Sequence, residues 1–351
     1  MLYLVIQYLK CFVETLRRTG RWLKPLVRCI KYQCLLKVAT FVGHISFNCT
    51  FNTIETLGGS KYNGSESLNG KTVIITGANT GIGKETALEM ALRHARVIMA
   101  CRDMDKCREA RKDIALASRN KYIYCQECDL ASQESIRNFA KMVNEKEARV
   151  DILINNAGVM RCKKSFTKEG IELQFGTNHI GHFLLTNLLL DKLKASAPSR
   201  IINVSSVAHM RGSINFSDLN GDKNYGEGQA YAQSKLANIL FTRELAERLE
   251  GTGVTSNAIH PGIVFTDIGR HMGINNSWIA KIFLFPLLWL FLKTPRQGAQ
   301  TTIYAALNSE LENVSGKYFS NKAEAEVSEA AQDRAAAKRL WAISEHWTGL
   351  T

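Results

Sequence analysis

The chain has 351 residues, room for two average domains or one large α/β domain, and carries 45 Lys and Arg against 32 Asp and Glu, a formal net charge of +13. Residues 1–70 hold nine of those basic residues against only Glu14, Glu55 and Glu66. No zinc spacing, RNA-binding aromatic signature or basic run accompanies the charge, which argues against nucleic acid and leaves an anionic membrane surface as the expected partner. The nine cysteines, scattered from Cys11 to Cys162, lack the pairing pattern of a small secreted framework and read as reduced thiols. Cys125 and Cys128 form a lone C-x-x-C with no second pair at zinc spacing, so a strand end is expected there and no metal.

In chain order, Met1 to Leu9 is apolar but shorter than the roughly 20 residues a bilayer span requires, and it precedes the charges where a cleaved signal would follow them. Lys10, Arg17, Arg21, Lys24, Arg28 and Lys31 then fall in one helical stripe, with Leu9, Phe12, Leu16, Leu23, Val27, Ile30 and Cys34 on the apolar side. This basic amphipathic pattern suits a membrane interface, as one helix or as two broken at Gly20 and Pro25. A mitochondrial presequence or a poorly ordered tail is the alternative reading. Residues 1–57 are therefore expected to associate with a membrane, the endoplasmic reticulum being preferred over the mitochondrion, and the Gly, Ser and Asn of 58–70 to form a linker.

From Lys71 short β-branched runs alternate with helical segments. Strands are expected at 72–76, 96–100, 122–127, 151–155, 200–204 and 254–259, with a closing amphipathic helix over 330–341. That rhythm implies a doubly wound parallel sheet covered by helices on both faces, a Rossmann-type single domain over 71–321 followed by a helical tail over 322–351.

The first strand runs into Thr76, Gly77, Ala78, Asn79, Thr80, Gly81, Ile82 and Gly83, a T-G-x-x-x-G-x-G turn opening a helix. Glycines there let the backbone approach a pyrophosphate at the positive end of the helix dipole. Further on stand Asn155-Asn156-Ala157-Gly158, then Asn178, Ser205-Ser206, Tyr231-Ala232-Gln233-Ser234-Lys235, and Pro261-Gly262 with Thr266. This ordered set resembles the short-chain dehydrogenase/reductase family over about residues 71 to 321. The runs around Arg102, around Asn178-His179-Ile180-Gly181-His182-Phe183, and from Lys293 to Gln300 are similar to those of its retinol dehydrogenase subgroup.

Tyr231 and Lys235 stand four apart, so on a helix they share a face. A phenol, with pKa near ~10 when free, is expected to move towards working pH beside an ammonium and a positive nicotinamide ring, and to exchange a proton with an alcohol or carbonyl oxygen. Ser206, preferred over Ser205 by the resemblance, would hydrogen-bond the reacting oxygen. The resemblance further implies that Asn178 interrupts a helix and holds a water linking Lys235 to solvent. It places Asn155, Ala157 and Gly158 along the cofactor, the first and last on the adenosine side. It also puts Asp129 and Leu130 at the adenine, Pro261 and Gly262 among the cofactor contacts, Thr266 on the nicotinamide carboxamide, and Lys235 on the ribose.

NADP(H) is the expected cofactor. Cys101 occupies the position, eighteen residues after Gly83, where an NAD enzyme commonly carries an acidic group, and Arg102 follows. Asp103 is the competing residue: facing the ribose, it would favour NAD. An apolar run over 282–292 is too short to span a bilayer and sits where the family places its substrate lid, although an ordinary buried helix also explains it. The expected reaction joins a lipophilic alcohol to its aldehyde or ketone, retinol and retinal leading. A steroid or lipid-aldehyde reductase is the enzymatic alternative, and a silent dinucleotide-binding scaffold the alternative from another class. Neither oligomeric state nor flux direction is legible.

Overall fold

A computed structural model describes residues 61–264 and 293–351. The expected membrane-associating segment over 1–57, the apolar run over 282–292 and Thr266 lie outside the described residues.

Eight strands form one sheet in the order β3-β2-β1-β4-β5-β6-β7-β8. They are β1 Thr72–Thr76, β2 Arg96–Cys101, β3 Ile123–Glu127, β4 Ile152–Asn155, β5 Ser199–Val204, β6 Val254–His260, β7 Tyr318–Ser320 and β8 Ala323–Glu324. All neighbours are parallel except β7 and β8. The helices are α1 Gly81–Leu92, α2 Met104–Ser118, α3 Gln133–Lys146, α4 Gly181–Ala195, α5 Glu227–Arg248, α6 Pro295–Leu307 and α7 Arg334–Thr348.

The β-branched runs form strands because both faces of the sheet are covered. In β1, Val73 and Ile75 pack into one apolar cluster with residues of α1, α2 and α6, while Ile74 between them packs into the other with residues of α3, α4 and α5. The strand order reverses between β1 and its two neighbours β2 and β4, which opens a crevice at their carboxyl ends.

The C-terminal segment expected as a tail contributes β8 and α7. Trp341 of α7 enters the second cluster, 4.9 Å from the Phe183 ring and 5.8 Å from that of Phe241. The helix begins at Arg334, later than the apolar pattern suggested, because the Asp333 carboxylate accepts the Ala336 N–H as an N-cap and Glu329–Gln332 form a separate 3₁₀ turn.

The expectation of uniformly reduced thiols is corrected at one pair. α2 folds back over β3 and joins Cys107 to Cys125 in a disulfide, with Cα atoms 6.0 Å apart across 18 positions of sequence. Cys128, the other member of the C-x-x-C, is a buried thiol just past the strand end.

Val264 and Lys293 pair in a parallel bridge, the Lys293 N–H donating to the Ile263 carbonyl at 2.8 Å. Thr294 then caps α6 in a capping box with Gln297, and Pro295 occupies the first turn. A Cβ on Gly298 of α6 would meet side-chain atoms of both Val264 and Ile82, so this helix presses on the bridge and on the glycine-rich turn together. Among the described residues no helix is long and apolar enough to cross a membrane.

Candidate active site

The glycine-rich turn follows β1 into α1 with Gly77 at φ +65° and Gly81 at φ +55°, the left-handed region in which other residues are strained. A side chain on Gly83 would collide with the Gly77 carbonyl and the Asn156 carboxamide. The backbone therefore closes on itself and leaves the amino end of α1 exposed to a phosphate, a fit to a dinucleotide.

Thr76 does not present its side chain to that cradle. Its hydroxyl lies inside, accepting the N–H of Asn156 and of Ala157, each at 2.9 Å. The Asn156 carboxamide returns a bond to the Thr76 carbonyl at 2.8 Å. Asn156 was not singled out from the sequence, although it stands within the Asn155 to Gly158 motif. Asn155 likewise turns inward: its Nδ2 donates to Thr186 Oγ1 at 2.9 Å and to Asn203 Oδ1 at 2.8 Å, tying β4 to α4 and β5. Its side chain is thus not available to line the adenosine side. Gly158 sits at the other end of the crevice, where an added Cβ would come within 3.1 Å of Asn178 Oδ1 and 3.6 Å of Lys235 Nζ.

At the end of β2 the Cys101 sulfur faces the backbone N–H groups of Ala78 and Asn79, and burial pushes its thiol up to about 11. Arg102, next to it, is exposed and has no carboxylate partner among the described residues. The Asp103 carboxylate is engaged elsewhere, accepting the Lys106 N–H at 3.1 Å as the N-cap of α2 and pairing with Lys106 Nζ at 3.5 Å. Past β3, Asp129 accepts the Ala131 N–H at 3.0 Å while Leu130 is buried. Past β6, Gly262 adopts φ +91° after the buried Pro261.

Tyr231 and Lys235 lie in the second and third turns of α5, with the ammonium 5.7 Å from the phenol ring centre. Lys235 is 2% exposed and donates to the Val204 carbonyl at 3.0 Å. Ser206, one residue beyond Ser205 at the end of β5, accepts the Ala208 N–H at 3.2 Å and stands near enough to the Tyr231 side chain to favour its ionised form. The Ser205 hydroxyl instead donates to the Lys235 carbonyl at 2.7 Å and is buried. Asn178 lies in a π-helical turn, Gly176–Ile180, leading into α4. Its carboxamide is fully used: Oδ1 accepts the Val159 N–H at 2.8 Å, and Nδ2 donates to the Val159 carbonyl and to Ser234 Oγ, each at 2.9 Å.

The electrostatics differ from the expectation for the phenol. Burial pushes Tyr231 up to about 12, with the nearby Ser206 acting in the opposite direction, and burial pushes Lys235 down to about 8. Burial raises the one and lowers the other, so the two groups move apart and the lysine gives up its proton before the phenol does. The arrangement can hold a carbonyl or alcohol oxygen between two hydroxyls and deliver a proton to it.

Comparison with known proteins agrees with this geometry. Residues 71–276 match the family model described as short chain dehydrogenase. The chain is 56% identical to retinol dehydrogenase 13 of Homo sapiens over 282 residues, 80% of this chain and 85% of that protein, and 51% identical to retinol dehydrogenase 11 of Homo sapiens over 81% of this chain and 87% of that one. A solved structure of an uncharacterised protein from Mycobacterium Paratuberculosis superposes with a TM-score of 0.67 at 36% identity, covering 83% of this chain and 98% of that one. RhlG of Pseudomonas aeruginosa in its NADP active-site complex superposes at 0.59 with 27% identity, covering 72% and 95%. With a parallel sheet reversing over a glycine-rich turn and a Tyr-x-x-x-Lys helix beside it, the chain belongs to the short-chain dehydrogenase/reductase family, nicotinamide-dinucleotide oxidoreductases. Within that family it falls in the retinol dehydrogenase subgroup.

The buried ammonium carries a stability consequence. In the unfolded chain Lys235 keeps its proton up to about 10.5, and in the folded chain only to about 8. Below pH 8 both states are protonated and folding bears the full cost of burying the charge. That cost shrinks as pH rises from 8 to 10.5. Lys235→Met should therefore be more stable than wild type at pH 7, by up to roughly 3 kcal/mol at about 1.36 kcal/mol per pH unit, and the gap should close towards pH 10. The Val204 carbonyl keeps a donor, Asn238 Nδ2 at 3.1 Å. Urea unfolding at both pH values checks this, and a Met variant less stable by the same margin at pH 7 and 10 would contradict it.

Proposed function

We propose that this chain is an NADP(H)-dependent oxidoreductase of a membrane surface that interconverts a lipophilic alcohol and its aldehyde, retinol and retinal being the leading pair. The observation that carries the reading is the placement of Ser206 and Tyr231 near each other beside the buried Lys235, in a chain 56% identical to a retinol dehydrogenase. When bound, the nicotinamide supplies or accepts the hydride. The protein's own part is to hold and protonate an oxygen. In reduction, Ser206 donates to the carbonyl oxygen as negative charge gathers there, and the Tyr231 hydroxyl releases its proton to it. A phenol held protonated by burial is in the form that this direction needs. Lys235 lowers the cost of the phenolate left behind. In oxidation Tyr231 takes the alcohol proton by the reverse step.

A lipophilic substrate is supported by the mouth of the site. Val207 and Met210, just past Ser206, and Ile263, just past Gly262, are 51%, 52% and 63% exposed. Large apolar side chains held in water at the ends of adjacent strands fit an apolar ligand. Tyr231→Phe should lower turnover of retinal with NADPH by about 10² to 10⁴ while leaving dinucleotide affinity nearly intact. A Phe variant turning over like wild type would refute the acid/base assignment. Ketosteroids and short aldehydes run as parallel substrates test the substrate class.

The preference for NADP(H) is supported by the thiol in place of an acidic group at Cys101, the uncommitted guanidinium of Arg102, and the capping role that occupies Asp103. Cys101→Asp combined with Arg102→Ala should move the kcat/KM ratio towards NADH, because it removes an attraction for a 2′-phosphate and adds a repulsion. A wild-type preference for NADH would mean that the 2′ position is read by another residue.

Membrane association is supported by the basic amphipathic pattern of the first 57 residues. Deleting 1–57 should transfer at least part of the protein from pellet to supernatant. A full chain that is freely soluble after gentle lysis would be evidence against this part of the proposal.

A further inference from the structure

Thr76 Oγ already accepts two backbone N–H groups, from Asn156 and Ala157. Its own proton has two acceptors within reach, the Ile154 carbonyl at 3.5 Å and His182 Nε2 at 2.9 Å. The shorter bond goes to the imidazole, so Nε2 is the acceptor and the ring proton sits on Nδ1. Nδ1–H then donates to the Asn178 carbonyl at 3.0 Å. His182 is 2% exposed, and burial, with Lys235 acting in the same direction, pushes its pKa down to about 4. The ring is neutral, in one tautomer, with both nitrogens committed.

What the ring joins is informative. At one end is the hydroxyl beneath the glycine-rich turn. At the other is the backbone of Asn178, in a π turn where the Gly181 N–H reaches back five residues to Gly176. The Asn178 carboxamide bonds Ser234 Oγ, which donates to the Tyr231 carbonyl at 2.8 Å. One unbroken run of hydrogen bonds thus leads from the dinucleotide turn through His182 to the helix turn that carries the phenol.

We propose that His182 is a positioning residue for proton transfer, its imidazole tying Thr76 to the Asn178 carbonyl and thereby fixing the polar wall beside Lys235 and the backbone of Tyr231. This rests on the reading of Tyr231 and Lys235 as the acid/base pair. The titratable groups that the ring meets are Lys235 and His179, the latter also buried and neutral and bonded to Ser344 Oγ. A fixed imidazole leaves Lys235 the single charge in the wall. Without it the π turn keeps its bonds to Val159 and Ser234 but loses the one to Thr76, and the wall beside Lys235 and the backbone of Tyr231 is held less closely.

Two variants test this in the full-length protein, with NADPH and retinal as probes. His182→Leu removes both bonds at similar volume. His182→Asn keeps one, because an Asn on this helix reaches the carbonyl four residues back, as Asn187 Nδ2 does to the Phe183 carbonyl at 2.8 Å. Per NADPH-binding site counted by fluorescence titration, the Leu variant should lose about 10- to 100-fold in kcat, the scale of a small misplacement of reacting groups. Its retinal KM should change less than its kcat, and the alkaline limb of its kcat profile should shift. The Asn variant should recover most of the kcat and the wild-type profile. Wild-type kcat and profile in the Leu variant would overturn the inference, as would a loss of rate matched by a loss of binding sites with an unmoved profile, or an Asn variant no better than Leu. A fully active Tyr231→Phe would instead overturn the acid/base reading beneath it, and the two failures are distinguishable.

Discussion

Where the strand order reverses, chains that run side by side in the sheet must part, and the crevice between them is stable only if the backbone polar groups at its base find partners away from water. The Thr76 hydroxyl meets that demand by accepting the N–H groups of both Asn156 and Ala157 and passing its own proton to His182. Asn156 closes the other side through the Thr76 carbonyl. The glycine-rich turn above and the Asn178 turn beside it are anchored to this one oxygen. A serine could keep the bonds but would lose the methyl group that packs in this closed interior.

The same enclosure sets the electrostatics. A lysine that is 2% exposed is costly to keep charged, and among the described residues the Val204 carbonyl and the face of the Tyr231 ring are what compensate it. Stability is given up where the proposed acid/base chemistry asks for an ammonium next to a phenol, a trade between activity and stability of a familiar kind. The neutrality of His182 and His179 follows from the same burial and keeps a second cation from adding to the cost.

Much of this was legible in the sequence. The β-branched and apolar runs marked the six parallel strands from β1 to β6 to within a residue or two; the signal is strongest in β1, whose TVIIT is buried throughout, and weaker in β3 and β6, where polar residues interrupt it. The glycine turn and the Tyr231 to Lys235 spacing marked the site because close backbone approach and a shared helix face each demand particular residues at particular offsets. Side-chain direction was not legible. A fingerprint says that Thr76 and Asn155 belong to the crevice, not that their polar atoms turn inward to bind Asn156, Ala157, Thr186 and Asn203. The pairing of Cys107 with Cys125 depends on how α2 folds back over β3, and the start of α7 on a single capping carboxylate, both outside the reach of periodicity. His182 carried a signal, two histidines close together on an otherwise apolar helix start, but its meaning required both of its partners.

The bridge between Val264 and Lys293 gives the architecture a kind of modularity. Val264 and Lys293, 29 positions apart in sequence, are immediate neighbours in the fold, with α6 pressed against both the bridge and the glycine-rich turn. Because the two ends meet in one backbone pairing, the stability of the fold depends only weakly on how many residues stand between them: in a flexible chain each doubling adds only about 0.6 kcal/mol of closure entropy. One backbone pairing thus makes the described fold nearly indifferent to the length of chain between its two ends.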